Sequence, residues 1–142
     1  MADSQLFEDT FEITGKVDNK YDRVSRVSGI STSHDGTEFS LDVNHELYPL
    51  NQHETVQLML ASTLNLDGTK DEKGWRELDS NETTLADMYD YVCHGKVYRF
   101  EEGDGDKIGV YVSFGGLLLY ISGPYKKLTP LRIDYVYLLL KK

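Results

Sequence analysis

Cys93 and His94 bring a thiol and an imidazole together in sequence, the residue types of a nucleophile and its base. Neighbours in an extended strand point to opposite faces, so the two cannot readily meet. They read as a buried thiol and an exposed imidazole. Asp87, Asp90 and His94 carry metal-ligating atoms, but they stand among many carboxylates and follow no recognised ligand spacing. A solvated face accounts for them. Gly103-Asp104-Gly105-Asp106 lacks the regular oxygen ligands and terminal glutamate of a calcium loop and reads as a turn. Gly115-Gly116 precedes a leucine run rather than a helix and has no P-loop lysine, so it reads as a bend where a sheet coils. These residues supply no catalytic group, no metal site and no cofactor-binding site.

One cluster suits a polymer. Lys16, Lys20, Arg23 and Arg26, with Tyr21 among them, are the basic residues concentrated in the first half of the chain. In an oligonucleotide-binding barrel, cationic and aromatic side chains on early strands meet phosphates and stack bases. Weak, sequence-independent single-stranded DNA binding by residues 16–39 is therefore an expectation, set against an ordinary solvated face.

The wider composition argues against a dedicated nucleic-acid module. The 142 residues carry a formal net charge of −9, which opposes polyanions except at a local basic stripe. A single cysteine excludes an intrachain disulfide and a cysteine zinc site, and fits a reducing compartment. The start, Met1-Ala2-Asp3-Ser4-Gln5, has neither the cationic region nor the apolar run of a secretory signal. No apolar stretch reaches the ~18 residues of a membrane-spanning helix. The expectation is a soluble intracellular domain with no membrane partner and no small-molecule substrate.

The elements that would hold these residues follow a period of two. Phe39, Leu41, Val43 and Leu47 alternate with polar residues up to Pro49, with His45 on their apolar side. Val56, Leu58 and Leu60 repeat the pattern, as do Phe7, Phe11 and Ile13, then Tyr98 and Phe100, then Ile108, Val110, Val112 and Phe114. Asp35-Gly36 and Gly103-Asp104-Gly105-Asp106 separate such runs and suit tight antiparallel connections. No long stretch carries a helical period; one or two turns near 84–89 are the best helical candidate. About seven or eight short strands without a helical layer must hide their edges, in a small barrel or a Greek-key sandwich.

Residues Asp67 to Asp90 interrupt the rhythm with eight acidic residues, three basic ones and the sole tryptophan, Trp75. They read as a long acidic loop, flexible over 67–87, with Trp75 tacked onto the barrel or a partner. Two segments depart the other way. Leu117-Leu118-Leu119-Tyr120-Ile121 and Tyr135-Val136-Tyr137-Leu138-Leu139-Leu140 are apolar on both faces, so something must cover their outer side. The cover is either the chain's own loops and ends or a permanent protein partner.

A series of local sequences resembles a known family almost end to end. Phe7-Glu8-Asp9, Leu41-Asp42-Val43-Asn44, Glu46-Leu47-Tyr48-Pro49 and Ala61-Ser62-Thr63-Leu64-Asn65 begin it. Asp90-Tyr91-Val92, Gly95-Lys96-Val97-Tyr98-Arg99-Phe100-Glu101, Ser113-Phe114-Gly115-Gly116-Leu117-Leu118 and Tyr137-Leu138-Leu139-Leu140-Lys141-Lys142 complete it. These are similar to the eighth-subunit family of RNA polymerase II, the small subunit shared by the three nuclear RNA polymerases. Cys93-His94 departs from the family's methionine and tyrosine, and Leu119-Tyr120 from its methionine and arginine. The second departure removes a charge that could have paired with a partner.

The resemblance implies an all-β, eight-stranded antiparallel barrel related to the oligonucleotide-binding fold. It also implies a non-catalytic subunit of polymerases I, II and III, docked on the largest subunit, in the nucleus and nucleolus. Tyr98, Phe114, Leu118, Tyr120 and Tyr137 are the expected interface residues. Such a barrel would add apolar area and hydrogen-bonding strand edges to its host. The competing readings are a free single-strand-binding module and a lipocalin-like ligand carrier. Acidity counts against the first; the missing signal and disulfides count against the second.

Overall fold

The structure, a computed structural model, describes residues 5–18, 23–63 and 88–142. Its strands are β1 (Gln5–Asp18), β2 (Val24–Ser31), β3 (Glu38–Asn44), β4 (Thr55–Ala61), β5 (Tyr91–Glu102), β6 (Lys107–Phe114), β7 (Leu117–Pro124) and β8 (Tyr135–Lys141). They close into a barrel in the order β1-β2-β3-β7-β6-β5-β8-β4, with every pairing antiparallel. Each of the eight strands has two partners, so the expected hydrogen-bonding edges are used up within the ring.

Alternation decides what points inward. Phe7, Phe11 and Ile13 from β1, Leu41 from β3, Leu58 from β4 and Val110 from β6 share one interior cluster with Val136, Leu138 and Leu140 of β8. The rings of Phe11 and Phe39 lie 4.6 Å apart within it. Fully burying a side chain of this kind contributes about 1.5–3 kcal/mol.

The turns follow their residue types. Gly36 (φ 90°) and His34 (φ 56°) shape the β2–β3 connection, where Asp35 Oδ1 accepts the Thr37 N–H at 3.0 Å. Gly115 and Gly116 are not a bend in a coiling strand. Both have positive φ and form a two-residue hairpin loop between the paired Phe114 and Leu117.

Two other expectations change. β3 ends at Asn44, and Leu47 is exposed in the following turn, because Asn44 Oδ1 accepts the N–H groups of Glu46 and Leu47 and turns the chain. Tyr98 and Phe100 are both exposed: the β5–β6 register shifts between Val97 and Arg99, and this bulge breaks the alternation. Among the described residues the α-helix is a single turn, α1 (Tyr125–Leu128), following Pro124 and burying Leu128. Met88 and Tyr89 are described, whereas the rest of the helical candidate at 84–89, the acidic loop at 67–87 and Trp75 lie outside the described residues.

Candidate functional site

Cys93 and His94 do face opposite ways. Cys93 packs partly buried against the interior cluster, while His94 stacks on Tyr135 at 5.5 Å and lies 4.8 Å from Tyr137. Burial pushes the Cys93 thiol up, outweighing its hydrogen bond with Tyr91, which is the opposite of an activated nucleophile. Asp90 is occupied structurally: Oδ2 accepts from the Tyr48 hydroxyl at 3.2 Å and from the Lys142 N–H at 3.1 Å. Asp87 lies outside the described residues. Among the described residues, no three His, Cys, Asp or Glu side chains converge as a metal-binding group.

The basic cluster is largely compensated where it is described. Arg26 pairs with Asp42, Nε to Oδ1 at 2.8 Å and Nη2 to Oδ2 at 3.2 Å. Burial raises the Asp42 pKa, but hydrogen bonds from Arg26 and the Leu118 N–H outweigh that and hold it below the usual carboxylate range. Arg23 lies 3.4 Å from Glu46, and Lys16 donates to Asn51 at 3.3 Å. Lys20 and Tyr21 lie outside the described residues.

The five expected interface residues divide by depth. Phe114 belongs to the barrel interior and Tyr137 is 1% exposed, so neither side chain offers surface to a partner in this conformation. Tyr98 is 45% and Leu118 38% exposed, with Tyr120 half-buried. These three share the outer face of β5, β6 and β7.

A tyrosine row builds that face. Tyr111 of β6 pairs in register with Tyr120 of β7; their rings are 4.7 Å apart, and the Tyr98 ring is 6.1 Å from Tyr111. The Arg99 guanidinium lies 5.4 Å from the Tyr111 ring centre, and the Tyr111 hydroxyl donates to Glu101 at 2.8 Å. Tyr120 also covers Gly109: a Cβ there would lie 2.7 Å from its ring. Tyr111 and Arg99 were missed because Tyr111 occupies the outward position between Val110 and Val112. Period alone marks that position as solvent-facing.

The outer face of β8 is different. Tyr137 and Leu139 form a second buried cluster with Met59 and Ala61 of β4, against which Tyr89 and Val92 pack. The chain therefore supplies cover for β8 itself, and the case for an external partner narrows to the face containing β7.

Comparison with known proteins decides the family. The RNA polymerase Rpb8 family model matches residues 8–142. The chain belongs to the RNA polymerase Rpb8 family. Among its relatives is the Saccharomyces cerevisiae protein called DNA-directed RNA polymerases I, II, and III subunit RPABC3, 37% identical over 96% of this chain and 97% of that protein. The Dictyostelium discoideum protein of the same description is 42% identical over 98% of both chains. An Arabidopsis thaliana relative, DNA-directed RNA polymerases II, IV and V subunit 8B, is 42% identical over 96% of this chain and 95% of its own. The Rpb8 family is the one that the local sequences from Phe7-Glu8-Asp9 to Lys141-Lys142 resemble, and its match spans all eight barrel strands, including part of β1.

Proposed function

We propose that this chain is a non-catalytic subunit common to nuclear RNA polymerases I, II and III, present in nucleus and nucleolus. It supports transcription as a scaffold, docking on the largest subunit through the outer face of β5, β6 and β7. The near full-length Rpb8 match carries the assignment, because relatives named as shared polymerase subunits align over 96% and 98% of the chain. The contact surface is a separate step, supported by exposed Leu118 and Tyr98 beside the packed tyrosine row. With the ring closed, association works through side chains rather than strand addition. Single-strand binding by residues 16–39 has weaker support, since Arg23 and Arg26 are paired with carboxylates.

The test is purification of the tagged full-length protein from nuclear extract, with cross-linking to identify its neighbour. Subunits of all three polymerases should co-elute, and Lys96, exposed on β5, should cross-link to the largest subunit. The double variant Tyr98→Glu, Leu118→Glu should lower recovery about tenfold, a change of roughly 1.4 kcal/mol in affinity. Elution without polymerase subunits would refute the assignment. Full recovery of the double variant would refute the docking face alone.

A further inference from the structure

Where β5 turns into β6, a cavity of about 340 Å³ opens between that hairpin and the segment following β7. Its lining includes Ile108, Leu128 and Leu131, the latter two buried. Phe100 and Tyr125 also line it and are 38% and 55% exposed. The volume lies near the lower end of the ~300–1,000 Å³ range of ligand pockets, and suits an apolar side-chain anchor. Two large aromatic side chains left exposed around an apolar lining mark a surface fitted to a partner.

Charge identifies the partner's chemistry. Glu102 lines the cavity, and Asp104 and Asp106 follow it in the β5–β6 turn. Glu101 is engaged by Tyr111 and lies 4.0 Å from Arg99. Glu102, Asp104 and Asp106 have no ion-pair partner among the described residues. The placed lysines point elsewhere. Lys107 Nζ lies beside Gly36 of the β2–β3 turn, and Lys127 is held by Asp9 and Asp35. Lys126, next to Tyr125 in sequence, is not among the cavity's lining residues. The result is an apolar socket lined by Glu102, with the Asp104 and Asp106 carboxylates in the adjoining turn outside any ion pair among the described residues, an arrangement that favours cationic partners over anionic ones.

We infer that this groove binds an extended segment of another protein in which an aliphatic or aromatic side chain is flanked by lysine or arginine. The apolar side chain enters between Phe100 and Tyr125, and the cations meet Glu102 and the turn carboxylates. This site adjoins the β5–β7 docking face at Glu101, which accepts from Tyr111, but it does not depend on that reading.

The experiment uses the full-length protein with a fluorescein-labelled octapeptide of alternating leucine and lysine. Two controls replace every leucine with glycine or every lysine with glutamate. Anisotropy should show binding of the first peptide and at least tenfold weaker binding of both controls. Its unlabelled form should shift the backbone amide signals of Phe100, Glu102 and Tyr125. Tyr125→Ala and Glu102→Lys should each weaken binding at least fivefold, with the circular dichroism spectrum unchanged. Equal affinity for the glycine control would reduce the site to a charge effect and overturn the inference. Insensitivity to both substitutions, or signal shifts confined to another face, would overturn it equally. So would equal affinity for the glutamate control, or failure of the leucine–lysine peptide to bind; a fluorescent fatty acid bound at these residues in its place would mark a small-molecule pocket.

Discussion

β7 and β8 are both leucine-rich and apolar front and back, yet the barrel treats their outer faces differently. β8 runs between β4 and β5, which bring Met59, Ala61 and Val92 alongside Tyr137 and Leu139. β7 runs between β3 and β6, whose outward positions include Ser40, Asp42, Tyr111 and Ser113, so Leu118 keeps much of its surface. Asp42 even turns its carboxylate to the Leu118 N–H at 3.1 Å. Two strands with the same apolar signature thus have different roles, one closing a core and the other presenting a surface.

Truncating the β8 outer cluster should have the largest effect on stability. Tyr137→Ala should cost about 3–5 kcal/mol and Leu139→Ala about 2–5 kcal/mol in urea unfolding, as cavity-forming core substitutions do. Leu118→Ala on β7 should stay below about 1 kcal/mol. A loss of similar size at Leu118 would erase the distinction between the strands.

Gly109→Ala attacks the β7 face from beneath, since the new Cβ must displace the Tyr120 ring. About 1 kcal/mol should be lost, the low end of overpacking costs, because the tip of the half-buried Tyr120 side chain can move aside. Tyr111 and Tyr120 ring signals should shift while those of Tyr137 remain unchanged; the reverse pattern would show that the faces are coupled.

The connection between the two strands carries its own latch. Lys127 of α1 donates to Asp9 and, at 2.8 Å, to Asp35. Burial raises the Asp35 pKa, but hydrogen bonds from Lys127 and Thr37 more than reverse that and place it well below the carboxylate range. Burial likewise lowers Lys127, and the two carboxylates more than restore it, leaving its pKa raised. A depressed Asp35 contributes stability above its unfolded pKa of about 3.9 and loses it as pH falls toward the folded value. A raised Lys127 contributes fully below about pH 10.4 and loses that contribution as pH rises through its folded value. Lys127→Met should cost about 1–2 kcal/mol at neutral pH, allowing for the exposed side of Asp35. The variant's stability should also fall less steeply than the wild type's between pH 5 and about pH 2. Parallel pH profiles would remove Lys127 as the cause.

The smallest change belongs to the surface. Arg23→Ala breaks an exposed pair with Glu46 and should move stability by less than about 0.5 kcal/mol. A fall in single-stranded DNA affinity in the same variant would revive the role of residues 16–39. Unchanged affinity would leave Arg23 as a solvated ion pair.

The fold was legible wherever alternation was strict: Phe39-Leu41-Val43, Val56-Leu58-Leu60 and Val110-Val112-Phe114 all turn inward. It misled at Tyr98 and Phe100, where a bulge changes the count, and at Gly115-Gly116, where strand and turn look alike without knowledge of the partner residue. Of the expected interface residues, Tyr98, Leu118 and Tyr120 share a face, but nothing in their neighbourhood along the chain announced Tyr111 as the ring between them.

An all-β chain, its main turns and its family were readable from the residues alone, because strand period, glycine placement and local motifs are properties of neighbours along the chain. Which apolar strand is covered, which carboxylates pair with Arg23 and Arg26, and that Phe100 and Tyr125 line one cavity came from the folded barrel. Each of those outcomes depends on long-range pairing, and the side chain across a strand boundary is unknown until the ring closes.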